Sequence, residues 1–320
     1  GFLHHPTLNQ FPFLAGITAV DDHLCILHQA FNHFEHQGGI MIIAPKELLR
    51  DAQERHYAIP AFNFYNLDGL FAVLEAAEEE QAPIIVEIYH VYYPFLHQKV
   101  ICSAVQETLR SARIHAYLHL DHATDQQVLM AAIKDGFQSV MVDGSTASLE
   151  ENIAFTKQIT TIAKENGVYT EAEVGHVARV GTENSEGSLA TVADCVRLTS
   201  ETGVDSLAAA VGTAHGIYQT LPKIDFQRIR EIHNTVKIPL VLHGGSGIPD
   251  EAIQRAILCG ISKINIGTEL KYAWSDAMKK GLLDGEKEPR ILSAFARMQV
   301  KAVAKQKIRL LGATGKDTFL

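Results

Sequence analysis

The run YAIPAFNFYNLDGLFAVLEAAEEEQAPIIVEIY, residues 57–89, shows how this chain is organised. Its two ends, 57–64 and 83–89, are short apolar runs with little polar alternation, as in strands covered on both faces. Between them, leucine and phenylalanine recur at the i, i+3, i+4, i+7 spacing of an amphipathic helix, at Leu67, Leu70, Phe71 and Leu74. The run therefore predicts a strand–helix–strand unit with parallel strands.

The same alternation continues along the chain. Further apolar runs of this kind are separated by amphipathic stretches and occupy 115–120, 139–142, 169–174, 206–211, 239–242 and 262–266. Eight strand–helix units in about 250 residues fit a (β/α)8 barrel, and a C-terminal helix over 288–311 follows. A doubly wound open sheet is the rival, but its glycine fingerprint after the first strand is replaced by AFNFYN at 61–66. We therefore predict an α/β fold, a (β/α)8 TIM barrel with a C-terminal helical extension.

Composition excludes several classes of protein. The chain has 320 residues, 47% hydrophobic and 20% charged, which excludes an intrinsically disordered protein. A net charge of −9 argues against a nucleic-acid groove, which needs a basic face, and no apolar run reaches the roughly 18 residues of a membrane span. The four cysteines are far apart, as in proteins of a reducing compartment. We therefore predict a cytoplasmic protein with no nucleic-acid or membrane partner.

The first forty residues differ from the rest. They hold six of the 16 histidines, contain no Lys or Arg, and show no sustained helical or strand period. Regular patterning begins with Pro45-Lys-Glu-Leu-Leu, where proline suits an early helical position. We predict an N-terminal extension over 1–40 that is not part of the catalytic fold, and a TIM barrel over 41–320.

Three predicted strands run into a histidine. In a TIM barrel the chemically active side chains gather at the C-terminal ends of the strands, where this sequence places His122, His215 and His243. Three imidazoles with an open fourth position make a catalytic zinc site, which we predict here. His119 lies three positions before His122, on the opposite face of a strand, so we interpret it as structural. Glu173 and His176 are further candidate ligands.

Asp121 directly precedes a candidate ligand. It either accepts a hydrogen bond from an imidazole N–H or acts as a general acid/base beside the substrate. The spacing does not choose between these roles.

The residues that follow the seventh and eighth strands are typical of an anion-binding site. Gly244-Gly245-Ser246-Gly247 follows the seventh strand, and its glycines allow close backbone approach with exposed N–H groups. Thr268 follows the eighth strand and opens a helix, whose N-terminus favours phosphate. Because barrels often bind phosphate at this position, we predict a phosphate site.

A metal and a phosphate without a nucleotide-binding loop indicate a sugar phosphate as the substrate. A Schiff-base lysine is the other solution to carbon–carbon chemistry in a barrel. However, the sixth strand has no lysine, and Lys263 opens the eighth strand, at the end we expect to lie away from the site. Metal Lewis-acid chemistry is therefore preferred.

From about residue 41 to the C-terminus, the chain resembles the class II, zinc-dependent fructose/tagatose-bisphosphate aldolases. The resemblance rests on the motifs LHLDH at 118–122, EAEVG at 171–175, GTAHG at 212–216, LHGGS at 242–246 and NIGT at 265–268. Residues 204–227 look most like the tagatose-bisphosphate branch.

The resemblance implies roles for individual residues. His122, His215 and His243 would hold zinc, with Glu173 as an alternate ligand. Asp121 would be the acid/base at the hydroxyl beside the cleaved bond, and Glu183 the loop acid, with Glu186 as its rival. Contacts to dihydroxyacetone phosphate would come from Gly216, Gly244, Gly245, Ser246, Asn265, Ile266, Gly267 and Thr268. Glycines near Gly216 and Gly244 would also frame a monovalent cation such as Na+ or K+.

The predicted reaction is a zinc-dependent retro-aldol cleavage of a ketose 1,6-bisphosphate. The tagatose type is favoured, and the products are dihydroxyacetone phosphate and glyceraldehyde 3-phosphate. Fructose 1,6-bisphosphate or another ketose 1-phosphate is the alternative substrate, and a metal-dependent hydrolase or an inactive paralogue is the alternative function. The resemblance also implies a homo-oligomer, a dimer or a tetramer.

Two stretches depart from the family pattern. The second strand ends in EIYHVYY at 87–93, where the family has Ser or Thr beside small residues. The carboxylate of Glu87 would repel a phosphate unless it faces away. The loop at 178–186 reads ARVGTENSE instead of Gly-Gly-x-Glu-Asp, so the assignment of Glu183 is provisional.

Overall fold

The computed structural model of the chain describes residues 44–180, 188–218 and 220–318. In chain order its strands are β1 (Ile59–Asn63), β2 (Ile84–Tyr89), β3 (Ala116–Ala123), β4 (Ser139–Val142), β5 (Tyr169–Val174), β6 (Ala178–Arg179), β7 (Ser206–Ala209), β8 (Ala214–His215), β9 (Leu240–Leu242) and β10 (Ile261–Ile266). Eight of them form a closed parallel barrel in the order β1-β2-β3-β4-β5-β7-β9-β10, while β6 and β8 pair separately above it. The predicted TIM barrel is confirmed.

Helices alternate with the barrel strands and cover them. They are α1 (Pro45–Glu54), α2 (Leu67–Glu80), α3 (Tyr92–Phe95), α4 (Gln98–Ser111), α5 (Gln126–Lys134), α6 (Leu149–Glu165), α7 (Val192–Thr202), α8 (Phe226–Val236), α9 (Asp250–Leu258), α10 (Thr268–Leu283) and α11 (Pro289–Leu310). Local signals start several of them. The Asn66 side chain accepts the Gly69 N–H at the start of α2, and Ser148 and Glu151 form a capping box on α6.

The barrel strands are buried because both of their faces are covered. Every residue of β1, β4, β5, β7, β9 and β10 is buried, as the near-continuous apolar runs predicted. The strand β3 continues three residues past the predicted end at 120, to Ala123. That extension carries Asp121 and His122 within the strand, at the rim of the barrel.

The C-terminal helix is confirmed as α11. It lies along α2, where the Arg309 guanidinium donates to the buried Glu80 carboxylate and the Arg297 guanidinium lies 5.0 Å from the centre of the Phe71 ring. It also packs against α10, where Leu292 lies beside Gly281. Lys307 of α11 donates to Glu269 in the first turn of α10, which holds the start of α10 next to the end of β10.

No helix in the described ranges is long and apolar enough to cross a membrane. The predicted extension over 1–40 lies outside the described residues and stays a prediction.

Candidate active site

Three histidine side chains meet at the C-terminal end of the barrel. His122 comes from the end of β3, His215 from β8 and His243 from the residue after β9. Their ring centroids are 4.7 Å apart for His122 and His215, 4.5 Å for His122 and His243, and 5.9 Å for His215 and His243. One ring nitrogen of each lies within 4.8 Å of the others, so the three could bind one metal ion.

A local irregularity of β3 brings two consecutive side chains to this point. His122 has a positive φ of 53°, and the register between β3 and β4 shifts between Leu120 and Ala123. The shift breaks the alternation of faces. Asp121 Oδ1 therefore lies 3.8 Å from His122 Nε2 and 4.0 Å from His243 Nδ1.

His122 is oriented by Asp143, which follows β4. The Nδ1–H of His122 donates to Asp143 Oδ2 over 2.8 Å, and Ser145 Oγ donates to the other oxygen of Asp143. The Nε2 atom of His122 is buried and has no hydrogen-bond partner among the residues that the structure describes. Burial lowers the pKa of His122, but Asp121 and Asp143 outweigh it and raise the pKa to about 10. A metal ion would therefore displace a proton from this ring.

His243 is oriented in the same way by Glu171 of β5. Its Nε2–H donates to Glu171 Oε1 over 2.9 Å, which leaves Nδ1 for the histidine cluster. Although burial opposes ionisation, Lys263 and His243 hold the pKa of Glu171 well below its usual range.

Asp121 lies beside the cluster as a buried, ionised carboxylate. It accepts the Asn63 Nδ2–H over 3.2 Å and the Asn265 Nδ2–H over 3.1 Å. Burial raises its pKa, but His122 and His243 lower it below the ordinary value. An ionised carboxylate at this place suits a general base. Sequence reasoning missed Asn63, although its position at the end of β1 was a signal.

The other candidate ligands lie at one side of the cluster. Glu173 Oε1 accepts the Val177 N–H, and its Oε2 atom lies 3.8 Å from His122 Nδ1, the nitrogen that faces Asp143. Burial and Asp143 raise the pKa of Glu173 to about 8. Its role as an alternate ligand stays a prediction, as does that of His176, whose Nδ1 lies 3.3 Å from Ser145 Oγ.

His119 is not part of the three-histidine cluster. Its Nδ1 lies 2.7 Å from Ser139 Oγ. Burial and the Lys263 charge lower its pKa to about 3. The neutral, buried ring agrees with the structural interpretation.

The acidic residue of β2, Glu87, is paired with a lysine inside the barrel. Glu87 is fully buried, and the Nζ atom of Lys263 lies 2.8 Å from its Oε1. Burial raises the pKa of Glu87 to about 8, although the positive charge of Lys263 opposes the rise. Although burial opposes the charge, Glu171 and Glu87 raise the pKa of Lys263 above its ordinary value. Lys263 is therefore an ammonium rather than the free amine that a Schiff base requires.

The predicted phosphate loops are joined to one another. Gly244 has a φ of +69°, and a Cβ there would lie 2.3 Å from the Ala214 carbonyl oxygen, so only glycine fits. The Gly245 N–H donates to the Asn265 carbonyl oxygen over 3.1 Å. The Gly247 N–H donates to Glu269 Oε1 over 2.7 Å, so two of the N–H groups of this loop already have acceptors.

The remaining residues predicted to contact dihydroxyacetone phosphate lie near the Gly244–Gly247 loop or at the ends of neighbouring strands. Ser246 is buried, and its Oγ accepts the Glu269 N–H at the start of α10. The Ile266 side chain is in the core, so this residue offers only its backbone. A Cβ on Gly267 would lie 2.8 Å from the Tyr65 hydroxyl. Thr268 is the first residue of α10, and Gly216 lies beside Val180 with a φ of +108°.

The loop acid cannot be placed. Glu183 and its rival Glu186 lie outside the described residues, and both assignments stay predictions.

Comparison with known proteins identifies the family. A family model described as class II fructose-bisphosphate aldolase matches residues 43–316. The chain belongs to this family. The resemblance inferred from the motifs is confirmed, and the chain is an aldolase, a carbon–carbon lyase. The class II family is metal-dependent, and the three-histidine cluster is a group able to bind the metal.

The curated relatives carry a substrate name that differs from the predicted one. A protein of Bacillus licheniformis is 40% identical over 280 residues, which cover 86% of this chain and 96% of the relative. One of Bacillus subtilis is 39% identical over 280 residues, covering 86% and 97%. Both are named 6-phospho-5-dehydro-2-deoxy-D-gluconate aldolase. The tagatose-bisphosphate branch therefore stays a prediction.

Solved structures agree on the fold. The YdjI aldolase of Escherichia coli K12 has a TM-score of 0.79 and 32% identity, covering 87% of this chain and all of that one. A putative fructose-1,6-bisphosphate aldolase of Coccidioides immitis has a TM-score of 0.81 and 28% identity, covering 87% and 99%.

Proposed function

We propose that this aldolase cleaves a phosphorylated ketose by a zinc-dependent retro-aldol reaction that releases dihydroxyacetone phosphate. The observation that carries the proposal is the ionised Asp121 carboxylate directly beside the three-histidine cluster. This arrangement puts a candidate metal centre and a candidate general base, Asp121, next to each other in one buried site.

The donor set fits zinc. Three imidazoles are the ligands of a well-known class of catalytic zinc site, and within the described part of the chain the buried Nε2 atom of His122 has no hydrogen-bond partner. Asp143 and Glu171 each accept the other ring N–H of a proposed ligand, as is usual around zinc. When bound, the cation supplies Lewis-acid stabilisation of negative charge on the ketone oxygen.

The residues of the chain handle the protons. Asp121 accepts the proton of the hydroxyl on the carbon that becomes the aldehyde, which is one end of the carbon–carbon bond that breaks. The electron pair of that O–H bond forms the carbonyl of the departing aldehyde, and the pair of the broken carbon–carbon bond passes to the ketone half. A proton from the proposed loop acid Glu183 then completes dihydroxyacetone phosphate. Gly244, Gly245 and Ser246 with the start of α10 are proposed to hold its phosphate.

We propose 6-phospho-5-dehydro-2-deoxy-D-gluconate as the substrate. Its three carbons beside the phosphate are those of dihydroxyacetone phosphate, as in tagatose 1,6-bisphosphate. Its other half ends in a carboxylate rather than a second phosphate and leaves as 3-oxopropanoate. Relatives at 39% and 40% identity support this choice. The departure from the bisphosphate pattern at 87–93 agrees with a different distal group.

A second substrate, tagatose 1,6-bisphosphate, is favoured by the sequence at 204–227. A coupled assay for dihydroxyacetone phosphate across the gluconate derivative, tagatose and fructose 1,6-bisphosphates and a ketose 1-phosphate separates these candidates. We expect the highest kcat/KM with the gluconate derivative. A higher value with a bisphosphate would reject the substrate but keep the reaction.

The reaction itself is tested with the preferred substrate. We expect a chelator to abolish cleavage and zinc to restore it, and borohydride with substrate to leave the enzyme active. Inactivation by borohydride would indicate a Schiff base and overturn the proposed chemistry.

Two further implications of the resemblance remain proposals. The enzyme is proposed to be a homodimer or homotetramer, which sedimentation tests. The glycines near Gly216 and Gly244 are proposed to frame Na+ or K+, which would make activity depend on the monovalent cation.

A further inference from the structure

Lys263 is a lysine side chain entirely inside the barrel. It is fully buried, and its Nζ atom lies 2.8 Å from Glu87 Oε1 and 2.8 Å from Glu171 Oε2. A buried ammonium is tolerated only when it is paired and hydrogen-bonded. The two acidic groups belong to β2 and β5, which are separated by β3 and β4 in the barrel. Lys263 lies between them and contacts both.

The first carboxylate leads to the proposed metal centre. Glu171 uses Oε2 for Lys263 and Oε1 for the Nε2–H of His243, over 2.9 Å. The position of Glu171 therefore sets the rotation and the tautomer of the His243 ring, with Nδ1 towards the cluster.

The second carboxylate leads to the proposed acid/base. Glu87 uses Oε1 for Lys263, and its Oε2 accepts the Asn63 Nδ2–H over 2.8 Å. The same Asn63 amide group donates to Asp121 Oδ2 over 3.2 Å. A continuous path of polar contacts thus joins the ammonium to Asp121.

We propose that Lys263 is a positioning residue that holds both the metal ligand His243 and the acid/base Asp121 in their working orientations. Without the ammonium, Glu87 and Glu171 would be unpaired buried charges and would move apart or take up protons. His243 would lose its fixed acceptor, and Asn63 its fixed anchor. This inference rests on the proposed function, because it takes His243 as a ligand and Asp121 as the base.

The test must separate positioning from simple stabilisation. Lys263→Met leaves two unpaired carboxylates and is expected to lower the melting temperature strongly. Lys263→Met/Glu87→Gln removes the ammonium together with one of its two acidic partners, so only Glu171 is left without the lysine, and this double variant is expected to recover most of the melting temperature. Lys305→Met, which breaks a pair with Glu79 on the outer helices, is the matched control.

Three measurements follow on each variant: zinc affinity by competition with a chromophoric chelator, kcat and KM. For the double variant we expect zinc affinity to stay about 10- to 100-fold weaker, the usual effect of losing support behind a metal ligand. We expect kcat to fall while KM changes little. Wild-type zinc affinity and kcat in the folded double variant would show that Lys263 is only structural and would overturn the proposal.

A measurement that needs neither metal nor substrate separates failure of the positioning role from failure of the proposed function. In the metal-free enzyme, 15N spectra of histidine should show His243 as the Nε2–H tautomer in the wild type and as a mixture in the double variant. An unchanged tautomer would contradict the positioning role. Absence of zinc binding in the wild type would instead reject the proposed metal centre.

Discussion

Two adjacent side chains, Asp121 and His122, reach the same histidine cluster because the backbone turns between them. In a regular strand their side chains would lie on opposite faces. The positive φ of 53° at His122 and the register shift against β4 instead bring both to the cluster. The contacts of Asp121 support its proposed acid/base role, which stays a prediction. Asp121 accepts from Asn63 and Asn265, while Asp143 accepts the imidazole N–H of His122.

Asp121→Asn should keep the metal and lose turnover. The amide preserves the shape but cannot accept a proton, so we expect kcat to fall about 10²- to 10⁴-fold, the usual contribution of a general base. Metal content and the coupled assay are measured together. Asp125→Asn, which can still cap α5, is the matched control. Wild-type turnover in the Asp121 variant would remove its acid/base role.

At the scale of elements, the site depends on how neighbouring loops are tied together. Tyr218 lies between the segments that follow β7 and β9. Its hydroxyl accepts the Ala214 N–H over 2.7 Å and donates to the Gly244 carbonyl oxygen over 3.0 Å. These bonds place His215, next to Ala214, relative to the proposed phosphate loop. On the outer layer, the buried Glu80 of α2 accepts from Arg309 of α11 and from Thr314.

Tyr218→Phe should loosen the two loops without unfolding the barrel. The Ala214 N–H would lose its partner, at a cost of about 1 kcal/mol, and we expect KM to rise several-fold. Tyr272→Phe is the control, because Tyr272 is 47% exposed on α10. Thermal melts and steady-state kinetics check the effect. An unchanged KM would show that the loops hold their places without this hydroxyl.

Glu80→Gln should change how stability depends on pH. Hydrogen bonds from Arg309 lower the pKa of Glu80 below its ordinary value of 4.5. The stabilisation is therefore present above about pH 4.5 and is lost as the pH falls through the lower pKa of the folded protein. We expect the variant to lose about 1 kcal/mol at pH 7, since the Arg309 side chain of this pair is largely exposed to water.

Urea unfolding of wild type and the Glu80 variant at several pH values measures this difference. The gap should narrow as the pH falls below 4.5. A gap that is the same at pH 7 and pH 3 would mean that ionisation of Glu80 does not contribute.

At the scale of the whole molecule, the candidate site exists because the barrel closes. The three histidines of the cluster come from three distant parts of the chain: His122, His215 and His243. The barrel that brings them together is closed by the pairing of β10 with β1. A metal bound by all three would cross-link these parts in the folded state only. Metal binding should therefore be linked to stability.

Removal of the metal should lower the melting temperature. At a free metal concentration of 100 times Kd, binding stabilises the folded state by about 2.7 kcal/mol, which corresponds to roughly 4–5 °C for a chain of this size. Scanning calorimetry with and without a chelator measures the shift. His122→Ala should show no metal-dependent shift, whereas His233→Ala, on the outer helix α8, should keep it. A shift that survives in the His122 variant would place the metal elsewhere.

The amino-acid sequence by itself determined the architecture and the family. Apolar runs such as 57–64 and 83–89, with an amphipathic helix between them, are local patterns, and local patterns suffice to predict strands, helices and their alternation. The three histidines at strand ends were also predictable, because the barrel places all such ends on one rim.

Only the tertiary structure decided which side chains pair inside that rim. Glu87 looked like an obstacle to phosphate and Lys263 like a residue at the wrong end, yet the two form a buried pair. They are 176 positions apart in the chain, and their contact exists only because β10 and β2 both flank β1 in the closed barrel. Likewise, the turn at His122 depends on the register of β3 against β4. Periodicity describes which face a residue occupies, but the partner across a closed sheet is set by closure and register, which no local pattern encodes.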